Sequence, residues 1–279
     1  MMRKSYFSKD ILMLKKLTLV SFCASMALYA DTLGGEVFLG IYSHSPSGYA
    51  SYTAPATIPL FGQPGTTADL EDTLHWEENK DIFLKAYLEH PLPFVPNIKV
   101  AFTQLTHDGQ GDVGNDFIWG TIHIPTLGTI QDSLDVKKYD LTLYYELLDN
   151  SIVEADLGVT LGYIEGDLSV TALSGFSILG QQASHTEITD FSTFMPTLYG
   201  KTRFTIPSTD IALQFEGDFL NYDDTTFYNY EISARYTFAM GLGIEAGYKA
   251  MHLDSSDLVD GLCVDMDFKG PYAAVVWDF

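Results

Sequence analysis

The stretch Gly270-Pro271-Tyr272-Ala273-Ala274-Val275-Val276-Trp277-Asp278-Phe279 constrains this chain more than any other. Successive side chains of a strand point to opposite faces, so Phe279, Trp277, Val275 and Ala273 share one face. Asp278, Val276, Ala274 and Tyr272 share the other. A strand with an apolar face at the edge of an open sheet invites pairing with other chains. In a closed barrel the last strand pairs with the first, and no edge is left. The rest of the chain must therefore supply more strands of the same kind.

It does. Val37, Leu39 and Ile41 alternate with Glu36, Phe38, Gly40 and Tyr42. Ile82, Leu84, Ala86 and Leu88 alternate with Asp81, Phe83, Lys85, Tyr87 and Glu89, and Ile98, Val100 and Phe102 with Lys99, Ala101 and Thr103. The clearest run sets Tyr139, Leu141, Leu143, Tyr145 and Leu147 against Lys138, Asp140, Thr142, Tyr144 and Glu146. Comparable strands are predicted around Val153–Leu161, Leu198–Ile206, Ile211–Phe219, Tyr230–Phe238, Leu242–Tyr248 and Val264–Phe279. In the last of these, the phases of Phe268 and Ala273 call for a bulge near Gly270-Pro271. Three long excursions, Ser45–Asn79, Asp108–Ser133 and about Glu165–Asp190, alternate with short turns such as Asp149-Asn150. The count is ten strands. Apolar pieces at Phe117 and Val170 leave eight or twelve open.

Residues 1–30 have the form of an export signal. Met13-Leu14-Lys15-Lys16 is its basic start, Leu17–Leu28 its apolar core, and Leu28-Tyr29-Ala30 its cleavage site, with Met1 or Met13 as the start. That core is shorter than the roughly 20 residues a spanning helix needs. The mature part, residues 31–279, is then a single domain, and Cys263 is its one cysteine, so an internal disulfide framework is excluded. The chain carries 15 Lys and Arg against 37 Asp and Glu, for a net charge of −22. Such a balance repels nucleic acid. Lipid offers backbone groups no partner, so a membrane can be spanned here only by a closed barrel. The expected fold is all-β, a transmembrane antiparallel up-and-down barrel with short periplasmic turns and long acidic extracellular loops. Tyr139, Tyr145, Tyr236, Phe238, Trp277 and Phe279 suit its aromatic girdles.

Two resemblances sharpen this. The final strand, with Tyr272, Val275, Trp277 and Phe279, resembles the C-terminal assembly signal of bacterial outer-membrane barrels. That implies residence in the outer membrane, contact with its lipid and lipopolysaccharide, and recognition by the barrel-assembly machinery. Gly34-Gly35 behind the leader is similar to the pair that names a family of proteobacterial outer-membrane barrels. Asp69-Leu70-Glu71-Asp72, Leu88-Glu89-His90-Pro91, Pro96-Asn97-Ile98, Tyr139–Glu146 and Gly270-Pro271-Tyr272 match as well. The resemblance implies architecture and no biochemical activity.

The inward phase is ionic. It carries Glu36, Lys85, Glu89, Lys99, Lys138, Asp140, Glu146, Glu154, Asp156, Lys201, Arg203, Glu216, Asp218, Glu231, Arg235, Glu245 and Lys249. A charge inside a narrow barrel must be paired or hydrated, because an isolated buried ion costs several kcal/mol. These residues read as a salt-bridged plug, with a selective conduit for a small solute or ions as the alternative. Water-filled barrels typically have about 16 strands or more. The loop acids Asp69, Glu71, Asp72, Glu77, Glu78, Asp254, Asp257, Asp260, Asp265 and Asp267 lack calcium-loop spacing and read as solvated surface. No metal or cofactor is expected. A lipid-modifying enzyme would need a Ser beside a His, and a rim protease an acid beside a His. His44 with Ser43, Ser45 or Ser47, and His107 with Asp108, are the suggestive neighbours. Adjacent strand residues face opposite ways, which argues against a working pair. The expectation is a structural or surface protein without catalysis, of open oligomeric state.

Overall fold

The computed structural model describes residues 34–54, 64–92, 94–126, 128–178, 181–259 and 261–279. The export segment and Asp260 lie outside these residues. Thirteen strands are present among them: β1 Gly34–Tyr52, β2 Ala68–Asp69, β3 Asn79–Glu89, β4 Asn97–Asp112, β5 Phe117–Trp119, β6 Ile122–Ile124, β7 Thr129–Asp149, β8 Val153–Ile178, β9 Gln181–Thr205, β10 Ile211–Tyr222, β11 Thr225–Thr237, β12 Leu242–Val259 and β13 Leu262–Asp278. Ten of them form one antiparallel barrel in the order β13-β12-β11-β10-β9-β8-β7-β4-β3-β1, and β13 pairs back onto β1. The seam runs in constant register from Glu36↔Asp278 to Tyr52↔Leu262. Every consecutive pair of wall strands is joined up-and-down, so the sequence order is the wall order.

The wall has its polarity turned outward in. Leu39, Ile41, Val159 and Val275 are 56–60% exposed, while Lys85, Lys201, Glu216 and Glu245 are at most 4% exposed. An apolar belt around a polar interior is the arrangement of a membrane-spanning barrel. On β7 the belt runs from Tyr139 to Leu147, the length of about 9–11 residues that a tilted strand needs to cross a bilayer. β8 and β9 have 26 and 25 residues. They therefore stand well clear of the membrane on the outer side.

Three expectations change here. The excursion at Glu165–Asp190 is mostly wall, because β8 and β9 pair continuously from Val153↔Phe204 to Leu173↔Ser184. Val170 lies in this wall, while Phe117–Ile124 forms the separate β5–β6 hairpin, which leaves ten wall strands. No bulge occurs at Gly270-Pro271: β12 and β13 keep register from Leu242↔Trp277 to Ser255↔Val264. Phe268 simply faces inward and Ala273 outward. Above the belt much of the interior is apolar, so β7 from Thr129 to Glu146 and β13 along β1 keep their backbone phase while the polarity of their two faces exchanges. β7 illustrates the exchange, with Leu141 and Leu143 exposed below and Ile130 and Leu134 buried above.

The first excursion is not an outward loop throughout. β1 continues to Tyr52, and residues 66–78 fold into the barrel mouth, where Leu70, Leu74 and Trp76 are buried. The β5–β6 hairpin lies over them, joined by the Thr66 N–H to the Ile118 carbonyl at 2.8 Å and the Gly120 N–H to the Tyr52 carbonyl at 3.0 Å. Trp119 is fully buried. Gly109 of β4 makes room for this inturned segment, since a Cβ there would lie 1.7 Å from the Leu74 carbonyl oxygen.

Candidate functional site in the barrel lumen

The lumen has three levels. Within the belt, the inward positions build one cross-linked ionic layer. β3 and β10 stand five strands apart in either direction around the wall, yet Lys85 Nζ reaches Glu216 Oε2 at 3.1 Å. Lys99 Nζ lies 2.5 Å from Glu216 Oε1, and the Tyr87 and Tyr199 hydroxyls donate to the same carboxylate at 2.7 and 3.0 Å. Glu231 holds Lys85 at 2.6 Å and Lys249 at 3.1 Å. Nearer the short turns, Glu36 of β1 receives Arg203 of β9 at 2.7 Å and Arg235 of β11 at 3.1 Å, and Arg235 also holds Glu245 at 3.1 Å. Lys201 pairs with Asp156 at 3.0 Å and Lys138 with Asp140, and Glu154 lies 3.2 Å from Arg203. Aromatic faces sit against the cations, Phe38 under Arg235 at 4.8 Å and Tyr199 under Lys99 at 4.5 Å.

The remaining acids are met by neutral donors. Thr160 and Thr197 hydroxyls donate to Asp218 at 2.6 and 3.1 Å, Tyr144 to Glu89 at 3.2 Å, and the Asn97 amide to Glu146 at 2.9 Å. Glu146 is exposed at the turn end and lies outside the plug. Of the four residues of the final strand, Val275 faces lipid. Trp277 and Phe279 pack ring to ring at 5.0 Å. Tyr272 faces inward and donates to Glu245 Oε1 at 2.7 Å.

Above this layer lies a polar cluster that the alternation by itself did not assemble. His44 Nε2 lies 3.1 Å from Asp81 Oδ2, His44 Nδ1 lies 3.1 Å from His107 Nε2, and His107 Nδ1 lies 3.1 Å from the Glu77 carbonyl oxygen. Burial, with His44 beside it, lowers His107 to about 4. Trp76 stacks on His107 at 5.4 Å and donates its indole N–H to Asp132 of β7. Burial, with the charge of Asp108, raises Asp132 to about 7 against that hydrogen bond. Both groups stand outside the belt, whose outer edge is Phe102 on β4 and Tyr139 on β7. The signal that could have found the cluster is phase: His44 shares its face with Glu36 and Tyr42, and His107 shares its face with Lys99 and Thr103. His44 and His107 are 0 and 1% exposed, so no substrate reaches either imidazole. Ser43 turns away to Glu78, at 2.5 Å.

The third level is an apolar chamber between the long outer halves of the strands, lined by Leu105, Leu134, Ile164, Phe191, Met251 and Met266 among others. Among the described residues no group of three or more His, Cys, Asp or Glu is placed to hold a metal ion.

No family model matches the chain, and no curated protein matches it. Solved structures do. The outer membrane protease OmpT of Escherichia coli aligns over 89% of this chain and 97% of its own at 14% identity, with a TM-score of 0.55. The transport unit of the autotransporter AIDA-I of Escherichia coli aligns over 88% and 89% at 7% identity, TM-score 0.38. The attachment invasion locus protein Ail of Yersinia pestis aligns over 87% and 99% at 12% identity, TM-score 0.31. The fold shared with the first of these is that of an outer-membrane β-barrel.

Proposed function

We propose that this protein is an integral component of a bacterial outer membrane with a structural or surface role, without catalysis and without an open conduit. In this reading the leader is removed after Ala30, the assembly machinery recognises the strand ending at Phe279, and lipid and lipopolysaccharide surround the belt. The chain then stands among the barrels named for a Gly-Gly pair behind the signal. The observation that carries the reading is Glu216, which takes Lys99 at 2.5 Å and Lys85 at 3.1 Å from across the barrel. Side chains that meet across a lumen leave no aqueous path between them. Their mutual attraction in a low-dielectric interior makes separation expensive. The absence of a catalytic role is supported by the burial of His44 and His107. Reconstitution of the purified protein into planar bilayers tests this. The expected record is flat across the applied voltage range, and stable single-channel steps at physiological salt overturn the stoppered barrel in favour of a small-solute conduit.

A further inference from the structure

The barrel wall is not of even height. β10 and β11 turn back at Asp223-Asp224, and β9 loses its β10 partner above Leu198↔Phe219. β9 and β12 continue outward on either side, leaving a notch in the wall above the β10–β11 hairpin. The notch is a pocket of about 880 Å³ lined by Thr193, Met195, Leu220, Asn221, Ser256 and Leu258, within the range of about 300–1,000 Å³ usual for small-molecule sites. Phe194, Phe219 and Tyr222, all more than half exposed, flank it at the outer edge of the apolar belt. Leu258 belongs to two walls at once: it lines this notch and also the apolar chamber behind it.

Among the described residues, Leu70, Leu74 and Trp76 are buried at the mouth of the barrel. The space left inside the chamber is about 40 Å³ and is lined by apolar side chains alone. A guest coming from the notch must therefore displace Leu258 and use the yielding methionines, which re-pack more readily than branched residues. Two buried polar atoms point the same way. Thr189 Oγ1, two residues above Phe191 on the inward face of β9, has no hydrogen-bond partner among the described residues. Asn229 Oδ1, two residues below Phe227 on the inward face of β11, has none either. Thr189 is 5% and Asn229 8% exposed, and a buried polar atom left unpaired costs about 1–3 kcal/mol. A hydroxyl carried in on an alkyl chain would answer Asn229, and it lies next to a chamber that otherwise accepts only hydrocarbon. The notch's rim carries Asp223 and Asp224, which repel an anionic head group.

We infer that the notch and the chamber behind Leu258 form a binding site for an uncharged single-chain amphiphile, which enters sideways from the outer boundary of the membrane. This goes beyond the stoppered barrel and does not need it, since a flat conductance record and a bound amphiphile are separate readouts. The test uses tritiated dodecanol with the full-length barrel in phospholipid nanodiscs, against empty nanodiscs. Saturable binding of about one dodecanol per barrel is expected. Leu258→Trp should weaken it about tenfold or more, as should replacing dodecanol by dodecanoate at neutral pH. Asn229→Leu should weaken dodecanol but not dodecane. Should Leu258→Trp lose the heat-modifiable gel shift of a folded barrel, Leu220→Trp on the opposite wall of the notch takes its place. Native mass spectrometry identifies the occupant. Dodecanol bound with no retained phospholipid supports a single-chain occupant, and a retained phospholipid that dodecanol displaces overturns it. Binding no greater than in empty nanodiscs, or equal in wild type and the Trp variants, overturns the site.

Discussion

Glu216 and Asp132 are both buried carboxyls, and they behave oppositely because of what each faces. Glu216 accepts from two lysines and two tyrosines. Removing its charge strands Lys99 in the barrel interior, and breaking a buried pair from one side costs about 3–5 kcal/mol. Glu216→Gln should therefore lower the temperature at which the folded band disappears in a heat-modifiability gel, while Gln214→Glu in the same background should recover part of it, since Gln214 lies 3.5 Å from that carboxylate. Among the described residues Asp132 has no cation beside it, only the Trp76 indole, and it is raised to about 7 chiefly by burial. Its folded value lies above its unfolded one, so the folded state holds the extra proton between about pH 4 and 7 and stability falls as pH rises through that window. Asp132→Asn keeps an acceptor for Trp76 and cannot ionise. The variant should gain about 1–3 kcal/mol on wild type between pH 5 and pH 8, one pH unit being worth at most about 1.4 kcal/mol. Urea midpoints at the two pH values check this. His107, lowered to about 4, adds the opposite trend, stability rising with pH from about 4 to 6.5. That trend is common to both proteins and drops out of the difference.

Among the elements, the β1–β13 seam decides whether the barrel exists. Gly35 and Phe279 exchange backbone hydrogen bonds at 3.0 and 2.9 Å. The Phe279 ring lies over Gly35, where a Cβ would fall 2.7 Å from its Cζ and 2.9 Å from the Tyr87 carbonyl oxygen. The Gly-Gly pair read at the sequence level as a family mark thus has a local physical task, to let an aromatic cover the backbone at the closing seam. Gly35→Val should cost about 1–3 kcal/mol, the usual range for forcing extra methyl groups into a packed place. A double-mutant cycle with Phe279→Ala checks the cause: the two losses should fall well short of adding, and simple additivity would place the strain elsewhere. The strands also carry the less expected result. β13 keeps one backbone phase along its pairing with β1, and β7 keeps one from Thr129 to Glu146, and both exchange which face is apolar near the edge of the belt. A rule that reads apolar as lipid-facing must then invent a bulge, as at Gly270-Pro271. The backbone has none, because beyond the membrane the apolar side turns inward as in any water-soluble protein.

For the molecule as a whole, alternation at every second residue pointed to the fold class, to about ten wall strands with eight and twelve still open, and to which of Lys85, Lys99, Arg203, Glu216 and Arg235 face inward. That follows from geometry alone, since side chains in a strand have only two directions to point. Sequence could not say who meets whom. Lys85 and Glu216 are 131 residues apart, and their contact depends on the wall closing at a diameter that two side chains just span. Nor could it say that the acidic, proline-rich excursion after β1 would send Leu70, Leu74 and Trp76 back into the mouth. It could not show that the short β10–β11 hairpin would leave a notch beside an apolar chamber. Local pattern fixes direction, because direction is set within one strand. Partners, plugs and openings are set by the curvature and height of the closed wall, which belong to all ten strands together.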